Sequence, residues 1–370
     1  MSPSATAPAS RAGEDPVRVG LVGLGNSGWS YHAEQVLEPS PDLRLVAVCD
    51  ADPARAAAGG RRFGARSGTR WQDLVAQDDV ELVVVALPHH LHREVVLGAL
   101  AAGRHVHVEK PLATSRADAT AMVDAARRAG RRLTVHHQRR WEPDFLLVRR
   151  LLEDGAVGAL RRVEMTRTHA GRYRVRGAAS PHTGDDVATW TEDAATGGGV
   201  GWLIGPHPVD QVLQLAGRPT GVAGAAHHPP GSTVEDHLRV ELDFAATASG
   251  APVTARLDVH RRAPRPAPRF LVTGERGTLA SMDGTAVVVL ADGRAPVVHA
   301  GLVPPGRLGE EVYAGVVAAL RGGPGSAVTG EQGRDVVDVL ERALAAARGA
   351  RSPGAGSGAG SVEERREARG

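Results

Sequence analysis

One short segment constrains the fold more than any other. The apolar run Val17 to Val22 leads directly into Gly23-Leu24-Gly25-Asn26-Ser27-Gly28, and a helix-capable stretch, Ser30 to Leu37, follows. Glycines at this spacing are a weak signal alone, but between a first strand and a first helix they form a fingerprint for holding a dinucleotide. Gly23 permits a tight turn, Gly25 lets a pyrophosphate approach bare backbone, and Gly28 lets the helix pack closely on the strand. Asn26 and Ser27 stand at the helix N-terminus, which faces the anion. The next apolar run, Leu43 to Cys49, ends at Asp50. That is close to the roughly 20-residue offset at which an acidic side chain receives the adenosine ribose hydroxyls. A 2′-phosphate would meet like-charge repulsion there, so the expected cofactor is NAD in preference to NADP, with Arg55 near enough in sequence to soften the discrimination.

The first half goes on alternating short apolar runs (Val83 to Leu87, His105 to Val108, Leu133 to His136) with amphipathic segments (Pro53 to Phe63, Leu91 to Ala102, Arg116 to Ala129). Continuous apolar strands joined in this way belong to a parallel sheet covered by helices on both faces. After Trp141 the rhythm changes. A helix from Glu142 to Leu152 precedes strand-like segments at Arg162 to His169, Val234 to Phe244, Pro252 to His260, Phe270 to Thr273 and Ala286 to Leu290. Two helical stretches, Glu310 to Leu320 and Glu331 to Arg348, close the chain's folded part. Gly177 to Gly199 and Ala225 to Ser232 are turn-rich and read as loops over a cleft. The expected architecture is α/β in two parts: a doubly wound Rossmann domain over residues 16–138 and an α/β domain with a large, mostly antiparallel open sheet over residues 139–350. Residues 1–15 and 351–370, rich in small and charged residues, are expected to be disordered tails.

Charge and composition exclude several function classes. A formal net charge of +2 leaves no sustained basic face for nucleic acid. No apolar stretch approaches the roughly 18 residues of a membrane span, and the first segment lacks the hydrophobic centre of a secretory signal, so a cytoplasmic protein is expected. The single cysteine, Cys49, rules out a disulfide framework and reads as a buried strand residue. Sixteen histidines invite a metal, notably in His89-His90-Leu91-His92, His105-Val106-His107, His136-His137 and His227-His228. No acidic or cysteine partner shows ligand spacing, and no metal is expected.

Lys110 is the single lysine among 44 Lys and Arg residues. A guanidinium stays protonated under any working condition, whereas an ammonium can be desolvated until its pKa falls towards neutrality. Lys110 is therefore a candidate for proton transfer, with plain hydrogen-bond donation as the alternative.

The fingerprint, Val46-Ala47-Val48-Cys49-Asp50, Ala86-Leu87-Pro88-His89-His90-Leu91-His92 and Gly103-Arg104-His105-Val106-His107-Val108-Glu109-Lys110-Pro111-Leu112-Ala113 together resemble the Gfo/Idh/MocA oxidoreductase family. The likeness continues through His137-Gln138-Arg139-Arg140-Trp141-Glu142-Pro143-Asp144-Phe145, Gly197-Gly198-Gly199 and Gly205-Pro206-His207-Pro208-Val209-Asp210-Gln211. The resemblance implies a substrate held between a nucleotide-binding domain and an open-sheet domain, and a homodimer or homotetramer formed through that sheet. It implies that Lys110 and His207 work beside the nicotinamide, with His207 as acid/base and Lys110 orienting the reacting oxygen. Pro88 and His89 match the nicotinamide-side loop, and Glu109 begins the turn that places Lys110. Arg139, Trp141 and Asp210 are then candidate substrate contacts. The substrate class is a sugar, inositol or similar polyol exchanging hydride at a secondary alcohol or ketone. The alternatives are a non-catalytic nucleotide or sugar sensor and an imine or enone reductase. One departure matters: where the family commonly has an aspartate, four residues before the histidine, this chain has Leu203. Asp186, Glu192, Asp193 and Asp210 are the carboxylates that could stand in. Thr191 occupies a position where relatives carry arginine.

Overall fold

Leu82, Val83, Val84 and Val85 are each 1% exposed or less. A strand apolar on both sides must be covered on both sides, and each such side chain contributes about 1.5–3 kcal/mol on burial. The computed structural model describes residues 15–168, 189–246, 251–261, 267–281, 286–291, 295–303, 306–323 and 325–349. The expected tails, apart from Asp15, lie outside the described residues, as do His169 and Asp186.

Six parallel strands form the first sheet: β1 (Val17–Val22), β2 (Leu43–Cys49), β3 (Arg66–Gly68), β4 (Leu82–Val85), β5 (His105–Glu109) and β6 (Leu133–His136). Their order across the sheet is β3-β2-β1-β4-β5-β6. This is the doubly wound order, and it creates a crevice beyond the carboxyl ends of β1 and β4 where the winding reverses. The helix Ser27–Leu37 follows the glycine turn and is wound more widely than an α-helix, its end marked by a bond from Glu38 N–H to the Ala33 carbonyl, five residues back. Asp52 caps the helix Pro53–Phe63 and Ser115 caps Arg116–Ala129, each accepting backbone N–H groups of the first turn. Such caps contribute about 1 kcal/mol.

The second sheet has eight strands: β7 (Leu160–Thr168), β8 (Gly221–His227), β9 (His237–Phe244), β10 (Val253–His260), β11 (Phe270–Gly274), β12 (Gly277–Ser281), β13 (Ala286–Ala291) and β14 (Val297–Ala300). They lie in the order β14-β13-β12-β11-β7-β10-β9-β8. Neighbours are antiparallel except β7 and β10, which run parallel. Along β10 buried and half-buried residues alternate strictly, the mark of a sheet with one covered face.

Three elements of this sheet, β8, β12 and β14, escape the sequence reading, as does the short β3 in the first sheet; of the helix Pro206–Ala216 only the turn from His207 to Asp210 is read as helical. β8, Gly-Val-Ala-Gly-Ala-Ala-His, has little β propensity, and part of it reads as a loop. Its small residues serve a neighbour: a Cβ on Gly224 would lie 2.1 Å from the carbonyl oxygen of Ala343 in the helix Gly330–Gly349. Residues 189–199 do form short turns, at Thr189–Glu192 and Ala194–Thr196.

The end of the chain returns to the first sheet. Helix Leu308–Leu320 places Val312, Tyr313, Val316 and Val317 in one cluster with Val19, Leu21 and Val84. Val135 N–H bonds to the Val328 carbonyl, and Thr134 pairs antiparallel with Thr329. Among the described residues no helix is long and apolar enough to cross a membrane.

Candidate active site

The three glycines of the first turn are demanded by three different surroundings. Gly23 has φ 96°, and a Cβ there would lie 2.3 Å from the Ala86 carbonyl oxygen. A Cβ on Gly28 would lie 1.8 Å from the carbonyl oxygen of Gly23, so helix and turn touch backbone to backbone. A Cβ on Gly25 would meet no neighbour within 4 Å, leaving room beside the turn for an anion such as a pyrophosphate. Asn26 is exposed and makes no side-chain cap, while Ser27 Oγ donates to Glu109 Oε1 at 2.7 Å. Asp50 closes the turn from the other side. Its Oδ2 accepts Leu24 N–H at 2.8 Å and its Oδ1 accepts Asp52 N–H at 2.9 Å. Arg55 Nη1 stands 3.5 Å from Asp50 Oδ2, so charges of both signs meet at the end of β2. Cys49 is buried beside it, its thiol pushed up to about 11 by burial.

Glu109, at the end of β5, is the hub between turn and lysine. Its Oε1 also accepts from His32 Nε2 at 3.0 Å, and its Oε2 accepts the Lys110 backbone N–H at 3.1 Å. Burial works to raise the Glu109 pKa, but the His32 bond and the positive neighbours outweigh it and hold the carboxyl well below its usual range. Behind Glu109 lies a cluster of rings, meeting edge-on or tilted, whose assembly is absent from the sequence reading. His32 Nδ1 is 2.8 Å from the Tyr313 hydroxyl, His136 Nδ1 is 2.9 Å from His107 Nε2, and His107 Nδ1 is 2.9 Å from Thr134 Oγ1. Burial pushes His107 well below the ordinary histidine value and His136 down to about 3. Among the described residues two groups bring three metal-ligating atoms within 4.8 Å of one another: His32, Glu109 and His136, and His237, Asp258 and His260. In both, the carboxylate already serves protein partners, Asp258 taking His237, Arg239 and Arg256.

Lys110 Nζ donates to the main-chain carbonyl of Leu203 at 2.8 Å. The residue that lacks the family's carboxylate therefore meets the ammonium through its backbone, while its side chain is buried. Burial lowers the Lys110 pKa, the nearby Glu109 opposes that, and Arg139 adds to it. His207 sits in the first turn of Pro206–Ala216, 5% exposed, with no hydrogen-bond partner for Nδ1 and its ring edge-on to His137 at 6.4 Å. Burial, then the charges of Arg139 and Lys110, hold its pKa well below the ordinary value, which keeps the imidazole neutral.

Among the described residues, the carboxylates that could replace the missing one are otherwise engaged. Both oxygens of Asp210 meet Arg140, at 2.5 Å from Nη2 and 2.8 Å from Nε, and Oδ2 lies 3.9 Å from His137 Nδ1. Glu192 pairs with Arg261 at 2.7 Å, and Asp193 accepts Ala195 N–H. Pro88 leads into the turn that carries His89, which is buried; His89 Nδ1 donates to the Gly197 carbonyl at 2.8 Å, and its ring meets Trp190 at 4.7 Å. The glycine triplet is there to let backbone and side chains close up: a Cβ on Gly197 would lie 2.5 Å from Thr114 Cγ2, and one on Gly199 2.5 Å from Glu235 Oε1. Arg139 Nη1 donates to Glu142 Oε1 at 2.5 Å, and Glu142 also receives Arg167, Arg269 and Gln211. Trp141 is half-buried and packs against both hydrophobic clusters. His32, Tyr313, Glu142 and Arg269 escape sequence reasoning because they come from five separate segments with Glu109 and Arg139, and no spacing ties them.

Comparison with known proteins agrees with this geometry. Residues 17–137 match the oxidoreductase family with an NAD-binding Rossmann fold, Gfo/Idh/MocA, and residues 145–280 match the Gfo/Idh/MocA C-terminal domain. The chain is 27% identical to the oxidoreductase YdgJ of Escherichia coli over 90% of this chain and 97% of that one. It is 28% identical to the scyllo-inositol 2-dehydrogenase (NADP(+)) IolW of Bacillus subtilis, over 62% of this chain and 60% of the relative. In fold it resembles the aldose-aldose oxidoreductase of Caulobacter crescentus, crystallised with glycerol, with a TM-score of 0.76 at 24% identity over 91% and 98% of the two chains. With a six-stranded nucleotide-binding sheet, an eight-stranded companion and the Glu109-Lys110 turn at their junction, the chain belongs to the Gfo/Idh/MocA oxidoreductase family.

Proposed function

We propose that this chain is an NAD-dependent dehydrogenase that exchanges hydride with a secondary alcohol, or the matching ketone, of a sugar- or inositol-like polyol. The observation that carries the reading is Lys110 Nζ held by the Leu203 carbonyl, with the neutral, buried His207 within reach of its charge. Gly23, Gly25, Asn26, Ser27 and Gly28 would hold the pyrophosphate, Asp50 the adenosine ribose, and Glu109, Pro88 and His89 the nicotinamide side. The nicotinamide, when bound, supplies the hydride acceptor or donor.

An ammonium has three donors, so Lys110 can keep Leu203 and still donate to the reacting oxygen. There it stabilises negative charge as the carbon–hydrogen bond breaks. His207 takes the hydroxyl proton in oxidation and returns it in reduction. Arg139 and Trp141 border the substrate, and Asp210 holds Arg140, the residue between them in sequence. The names of relatives, inositol, levoglucosan and deoxysugar oxidoreductases among them, support the substrate class. Asp50 supports NAD, while Arg55 beside it and the NADP(+) in the name of IolW mark the competing choice. The open face of the second sheet is the proposed surface for a homodimer or homotetramer.

The test is NADH fluorescence titration followed by turnover across a polyol panel with NAD. Saturable binding with turnover of at least one polyol is expected. Binding without any turnover would leave the second reading, a nucleotide-binding sensor, which Leu203 favours by removing a family carboxylate.

A further inference from the structure

A cavity of about 300 Å³ opens where the first helix meets the turn after β6. It is walled by Tyr31 and Gln35 of the first helix, Gln138 and Arg139 after β6, and Arg307 and Gly309 at the start of Leu308–Leu320. Arg139 joins it to the chemistry, since its charge is the strongest acting on His207 and also reaches Lys110. Among the described residues the lining carries two guanidinium groups and no carboxylate. Two atoms of the lining residues, the Tyr31 hydroxyl and Gln138 Oε1, are shielded from solvent and have no hydrogen-bond partner among the described residues. Buried polar groups are almost always paired, so either side chain can turn towards an occupant of the cavity without giving up a bond.

The surroundings are rich in positive charge. Glu142 is shared by Arg139, Arg167 and Arg269, and Asp144 lies 3.3 Å from Arg269. Glu310 and Glu311, the acids closest in sequence to Arg307, are turned to backbone: Glu310 Oε2 accepts Arg307 N–H at 2.8 Å and Glu311 Oε1 accepts Gly306 N–H at 2.9 Å. The cofactor is not the natural occupant. Its pyrophosphate belongs at Gly25, whereas Tyr31 and Gln35 lie one and two turns further along the helix from Ser27.

We infer that this cavity receives an oxyanion, a carboxylate or a phosphate, carried by the polyhydroxylated substrate away from the carbon that exchanges hydride. The inference deepens the dehydrogenase reading and rests on it. Arg139 and Arg307 are the fork-shaped donors suited to such a group, and Tyr31 and Gln138, on turning towards the cavity, would add a hydroxyl donor and an amide.

The experiment compares wild type with Arg307→Gln and Arg307→Lys on paired substrates: hexuronates, hexonates and hexose or inositol monophosphates against their neutral counterparts. Both turnover with NAD or NADH and calorimetric binding in the presence of NADH are read. The wild type should prefer one charged class, and Arg307→Gln should lower the charged-to-neutral ratio of kcat/KM roughly 10- to 100-fold, with partial recovery in Arg307→Lys. The carboxylate and phosphate arms tell the two sources apart. Equal use of neutral and charged substrates, or an unchanged ratio in Arg307→Gln, overturns the inference and leaves the dehydrogenase standing. Charged-ligand binding that Arg307→Gln abolishes, without turnover of anything, keeps the anion site and removes the dehydrogenase. No binding by any member of the panel removes both.

Discussion

The glycine turn and the Lys110–His207 cleft achieve opposite kinds of specificity. In the turn, function follows from what side chains are missing, and the missing atoms can be named one position at a time: Gly23 and Gly28 yield to backbone, Gly25 to open space. In the cleft, function follows from what distant segments bring, including a main-chain carbonyl at Leu203 that has no letter in the sequence. A local device is written in consecutive residues; an assembled one is written in the fold.

The largest expected effect lies in the cleft. Lys110→Ala should lower kcat by about 10²- to 10⁴-fold, the range for a positioned proton-transfer or charge-stabilising group, while the Kd for NADH stays within a few-fold. Equal single-turnover rates in both proteins would remove Lys110 from the chemistry. Within the turn, Gly28→Ala and Gly25→Ala should separate stability from binding. The Cβ at residue 28 collides with backbone and should lower stability by about 3 kcal/mol or abolish soluble expression, whereas the one at residue 25 should leave the melting temperature alone and weaken NADH. Matching losses at both sites in thermal unfolding would erase the distinction drawn between them.

Leu203→Ala probes the assembled device. It keeps the carbonyl and deletes a side chain only 2% exposed, so stability should fall by about 2–4 kcal/mol while kcat changes little at temperatures where the protein stays folded. A collapse of kcat in the folded variant would mean that the leucine side chain, not the backbone, serves Lys110. Acid should act on the same region. His136 and His137 are buried with pKa values pushed down to about 3 and about 4. Unfolded histidines titrate near 6.5, so between that value and the folded ones the unfolded chain binds more protons, and stability is lost as pH falls. At pH 5 the loss is on the order of 2 kcal/mol per histidine. Urea unfolding at pH 7 and pH 5 measures it, and His136→Phe should flatten the dependence; an unchanged slope would show that this ring does not carry it. The smallest effect belongs to Asp50→Ala, which should shift the NADP-to-NAD ratio of kcat/KM by about tenfold towards NADP, Arg55 remaining in place. A constant ratio would detach Asp50 from the ribose.

How much was readable follows the same division. β4, buried on both faces, and the turn at Gly23 to Gly28 were legible because burial and backbone geometry repeat over a few residues. Lys110 was conspicuous as a unique residue. β8 was not legible, because its glycines and alanines make sense only against helix Gly330–Gly349. Nor was the His32–Glu109–His136 grouping, which draws on β5, β6 and the first helix. Asp210 looked able to reach His207 one turn away, yet the guanidinium of Arg140 from another segment takes both its oxygens.

The pairing of Thr134 with Thr329, and of Val135 with Val328, ties the last strand of the first sheet to residues that follow the whole of the second sheet. A nascent chain that has left the ribosome through β6 still waits for nearly two hundred further residues before that border and the seat of Tyr313 are covered. Premature stops anywhere in the second sheet should therefore yield fragments whose nucleotide-binding half is exposed to proteases, even though every glycine and acid it uses is already present.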